Sequence, residues 1–96
     1  MVFTEVSADT NSIVFSATDK ANGTLTISDL VVGDVTVSVG GSPQTLGTLT
    51  YSAANDQYTL TPYSTFDTGT YTLSYAKPSS SSLFYELYAD LSGTIS

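Results

Sequence analysis

The sequence predicts an all-β fold, a two-layer sandwich of seven to nine short antiparallel strands. Three observations predict it. Thr and Ser, 16 and 15 residues, form about a third of the 96-residue chain, and Val, Tyr, Ile and Phe add further strand formers, while Glu, Lys, Arg and Met are scarce. Apolar and polar residues alternate with a period of two in several windows, and no window of a dozen residues carries a helical period. Turn-forming clusters punctuate the chain every 8–12 residues or so.

Taken in order, Val2, Phe3 and Val6 mark a first strand over residues 2–7, and Asp9-Thr10-Asn11 a turn. Ile13-Val14-Phe15 is a second strand, ended by the turn formers of Thr18–Gly23, among which Asn22-Gly23 is the strongest signal. Leu25 and Ile27 alternate with Thr24, Thr26 and Ser28 as a third strand, and Gly33-Asp34 breaks the chain. Val35, Val37 and Val39 alternate with Thr36 and Ser38, the pattern of a half-buried strand. Gly40-Gly41-Ser42-Pro43 reads as a loop. Leu46, Leu49 and Tyr51 mark the next strand, with Gly47 as a bulge, and Ala54-Asn55-Asp56 turns the chain into Tyr58 and Leu60. Pro62 should end that strand or place it at an edge. Tyr71, Leu73 and Tyr75 alternate with Thr70, Thr72 and Ser74, a polar loop follows from Pro78 to Ser82, and a last strand runs from Leu83 to Ala89. No linker or internal repeat interrupts residues 1–96, so they form a single domain.

The stretch from Leu46 to Tyr75 resembles bacterial and phage immunoglobulin-like domains. It reads Leu-Gly-Thr-Leu-Thr-Tyr, a turn, Gln-Tyr-Thr-Leu-Thr-Pro, a loop, then Phe-Asp-Thr-Gly-Thr-Tyr-Thr-Leu-Ser-Tyr. The segment Asp67-Thr68-Gly69-Thr70-Tyr71 is similar to the tyrosine corner of that fold, in which Asp and Gly make the turn and the Tyr hydroxyl bonds back to upstream backbone. The resemblance gives that part to Asp67, Gly69 and Tyr71 and implies an immunoglobulin-like sandwich over residues 1–96. Leu73 then stands where antibody domains carry their second Cys. With no Trp and no Cys, the chain departs from the antibody type. Surface-layer, adhesin and phage structural proteins carry modules of this look, and the fold alone does not choose among activities.

Composition narrows the function. The net charge is −7, the only cations are Lys20 and Lys77, and there is no Arg, so the basic footprint of a nucleic-acid binder is missing. Anionic lipid is disfavoured for the same reason, and no apolar run approaches the roughly 20 residues of a membrane span. Without His or Cys the usual general bases, thiol nucleophiles and transition-metal ligands are absent, so the sequence points to no enzyme and no cofactor. The first residues lack the basic and apolar regions of a signal peptide. Either a signal was removed and Met1 was added for expression, or the gene product starts at Met1.

Four further features invite a chemical reading. The acids sit mostly at turns, where Asp bonds its own backbone, and calcium is the alternative if loops at one end gather Asp19, Asp56 or Asp67. Tyr58, Tyr63, Tyr85 and Tyr88 would suit a sugar-stacking platform, although Tyr in strands more often packs across strands and the chain has no Trp. Asn22-Gly23-Thr24 matches the N-glycosylation acceptor pattern and is equally explained by its turn.

The last strand is the fourth feature. It places Leu83, Tyr85 and Leu87 on one face and Phe84 and Tyr88 on the other. A sandwich strand normally keeps one face wet, so a loop, a terminal segment or another subunit covers the second. These five residues are the expected interface, and the tail Asp90–Ser96 would add a strand to its own or a neighbouring sheet.

The expected function is a virion accessory (capsid decoration or fibre) or a surface-filament subunit, extracellular or on a virion surface, with protein partners and a homo-oligomeric habit. The alternative is a spacer or carbohydrate-binding adhesion module of a larger secreted or cell-surface protein.

Overall fold

Residues 13–18, 35–39 and 57–62 become strands whose every second side chain is buried. The computed structural model describes residues 1–18, 26–75 and 89–96. Among these residues eight strands follow in chain order: β1 (Val2–Ala8), β2 (Ile13–Thr18), β3 (Val35–Val39), β4 (Ser42–Pro43), β5 (Leu46–Ser52), β6 (Gln57–Pro62), β7 (Gly69–Tyr75) and β8 (Leu91–Ile95). They form two antiparallel four-stranded sheets, ordered β1-β2-β6-β5 and β4-β3-β7-β8. One core cluster joins both sheets. Phe3, Ile13, Phe15, Tyr58 and Leu60 come from the first, and Val35, Val37, Val39, Tyr71, Leu73 and Ile95 from the second. Phe15 lies edge-on to Phe3 at 5.0 Å and stacked with Tyr58 at 5.3 Å, offset arrangements that aromatic rings favour. Among the described residues no helix is long and apolar enough to cross a membrane.

Local chemistry explains the connections. The Asp9 carboxylate accepts from the Asn11 and Ser12 amides at 2.8 and 3.0 Å, which makes the expected turn between β1 and β2. Gly47 lies at the register shift between Leu46 and Thr48, the expected bulge. Pro62 ends β6, which is an interior strand and not an edge. The tail supplies β8, paired to β7 of its own sheet.

Two expectations are corrected. Gly40 to Pro43 is not a loop: Gly40 and Gly41, with φ of 57° and 85°, make a tight two-residue turn that pairs Ser42 with Val39. Residues 26–30 form no strand. A single bridge joins Thr26 to Thr18, and Ile27 and Leu30 are then drawn into the core. A short 3₁₀ turn, Val32–Asp34, leads into β3, and the buried Asp34 carboxylate accepts from the Val31 amide at 2.9 Å. The predicted strand Leu83–Ala89 and the Asn22 acceptor triplet lie outside the described residues, apart from Ala89.

Candidate functional site

Tyr71 is fully buried on β7, and its hydroxyl departs from the expected corner. It donates not to upstream backbone but to Glu5 Oε1 on β1, at 2.6 Å and 66 residues away in sequence. Glu5 can reach it because Glu5 pairs with Phe15, and so shares the inward side of the sheet, just before a register shift that leaves Val6 over. Gly93 on β8 lies opposite Tyr71. A Cβ there would stand 2.6 Å from the Tyr71 ring and overlap the Glu5 carboxylate. The three residues thus close the side of the molecule where β1 and β8 run together. Burial foremost, then the bond to Glu5 and its negative charge, push the Tyr71 phenol far above its usual range. Gly69, at φ 130°, opens β7, and the Asp67 that precedes it is held by Gln44. Gln44 Nε2 donates to Asp67 Oδ2 at 3.0 Å and the Asp67 amide to Gln44 Oε1 at 3.1 Å.

The tyrosine that does bond to backbone is Tyr58 on β6. Its hydroxyl donates to the Ile27 carbonyl at 2.7 Å and accepts from the Leu30 amide at 3.2 Å, both in the interior. This pins residues 27–30 over the core. A third tyrosine, Tyr75, has a buried hydroxyl with no hydrogen-bond partner among the described residues. Burial, then the charges of Asp34 and Asp29, raise its pKa.

The strands distribute charge unequally. Across all eight, Glu5 is the one charged residue, and it points inward. The outward positions of the first sheet fall in rows such as Val14–Thr59–Thr50 and Thr61–Thr48. Those of the second include Pro43–Ser38–Thr72–Ser92, Thr36–Ser74 and Thr70–Thr94. Thr48 and Thr61 share a hydroxyl–hydroxyl bond of 2.6 Å. Both faces therefore present hydroxyls and methyls without charge. The described acids other than Glu5 lie in turns and loops. Sequence alternation placed these Thr and Ser residues outward. Alternation from Phe3 also puts Glu5 on the inward side, but nothing near Glu5 in the sequence signals the Tyr71 hydroxyl it meets there.

The remaining sequence-based sites fare differently. Asp56 and Asp67 flank β6 at opposite ends, so the structure does not bring them together, and Asp19 lies outside the described residues. Asp56 instead accepts from the Tyr51 hydroxyl at 2.8 Å, which raises the Tyr51 pKa. Among the described residues no three acids gather as metal ligands. Of the four tyrosines of the sugar platform, Tyr58 is buried, Tyr63 is 81% exposed, and Tyr85 and Tyr88 lie outside the described residues. The same holds for the whole expected interface, Leu83, Phe84, Tyr85, Leu87 and Tyr88.

Compared with known proteins, the chain matches no family model, no curated protein and no solved structure.

Proposed function

We propose that this chain is an immunoglobulin-like sandwich serving as a non-enzymatic assembly protein, a virion accessory (capsid decoration or fibre) or surface-filament subunit that works through protein contacts outside the cell. The fold half of the reading is supported by strand order. Immunoglobulin-type sandwiches place strands A-B-E-D on one sheet and C-F-G on the other. Lettered in chain order, β1-β2-β6-β5 follows the first, and β3-β7-β8 the second with β4 as an added strand beside C. The functional half is carried by the exclusion of charge from the outward positions of the described strands in a chain of net charge −7. Soluble domains ordinarily intersperse charges of both signs over such faces. Uncharged hydroxylated faces let neighbours approach without repulsion and resist changes of salt. The absence of His and Cys from the sequence supports the non-enzymatic reading. Leu83, Phe84, Tyr85, Leu87 and Tyr88 remain the proposed apolar contact.

Immunogold electron microscopy of the native particle or cell surface tests this. Label at regular spacing on a particle or filament is expected. Label confined to free soluble protein overturns the reading. The adhesion-module alternative is favoured by one observation, the exposed Tyr63 ring. Glycan-array binding that Tyr63→Ala abolishes would move the assignment there.

A further inference from the structure

We draw no further inference here: the strongest candidate, the surface patch around the exposed Tyr63 ring beside Thr45 at one end of the sandwich, already carries the adhesion-module alternative, and nothing in the structure shows what covers it.

Discussion

Tyr58 and Tyr71 are both fully buried, both on central strands, and both bond through the hydroxyl, yet they hold different things. Tyr58 satisfies two main-chain groups of residues 27–30, a segment with no sheet ladder of its own beyond the bridge at Thr26. Tyr71 satisfies a carboxylate on a strand that already has a ladder with β2. The difference teaches where a buried hydroxyl matters most. Removing Tyr58 Oη leaves an amide and a carbonyl unpaired in the interior. Removing Tyr71 Oη leaves a carboxylate that reaches water, because Glu5 itself is exposed.

The isosteric series Tyr→Phe sharpens this contrast. Tyr58→Phe should cost about 2–4 kcal/mol in denaturant melts, since each orphaned buried group costs about 1–3 kcal/mol. A loss under about 0.5 kcal/mol would mean that residues 27–30 find other partners. Gly93→Val should cost about 1–3 kcal/mol by overpacking, because its side chain meets the Tyr71 ring and the Glu5 carboxylate. Pairing it with Glu5→Ala should recover part of the loss, by relieving one of the two clashes.

Tyr71→Phe should cost about 1 kcal/mol, the usual net value of one hydrogen bond. It carries a pH signature as well. An acid whose folded pKa lies above its unfolded value of 10.0 keeps its full contribution below pH 10 and loses it as pH rises further. Wild-type stability should therefore fall above pH 10, and Tyr71→Phe should flatten that fall. Parallel curves would break the comparison. Tyr75→Phe is the smallest change and has the opposite sign. Deleting a buried hydroxyl that has no partner among the described residues should be neutral or stabilising, by up to about 1 kcal/mol.

The sheets were largely legible in the sequence because strand alternation is a local property. Val35–Val39 and Thr70–Tyr75 announce themselves within six residues, and Gly47 and Asp9 mark their bulge and turn by type. Ile27 was misread because its alternation with Thr26 and Ser28 imitates a strand, while its place is set by a tyrosine 31 residues away. Gly40-Gly41 looked like the start of a loop because nothing in Ser42-Pro43 signals a strand. The corner motif identified Tyr71 as bonded through its hydroxyl but named upstream backbone where the acceptor is the Glu5 carboxylate. Glu5 and Gly93 carry no signal in isolation, and their meaning exists only once Tyr71 stands between them.

The Glu5–Tyr71–Gly93 closure also dictates timing. Its partners come from the first strand, the seventh and the eighth, so no fragment shorter than nearly the whole domain can assemble it. As the chain emerges from a ribosome, β1 and β2 can pair early, but Glu5 waits until residue 93 is clear of the exit. Pairings of such long sequence separation slow folding to the millisecond-to-second range typical of β-sandwiches. Until then an inward-pointing carboxylate without its hydroxyl partner disfavours wrong pairing along the β1 edge.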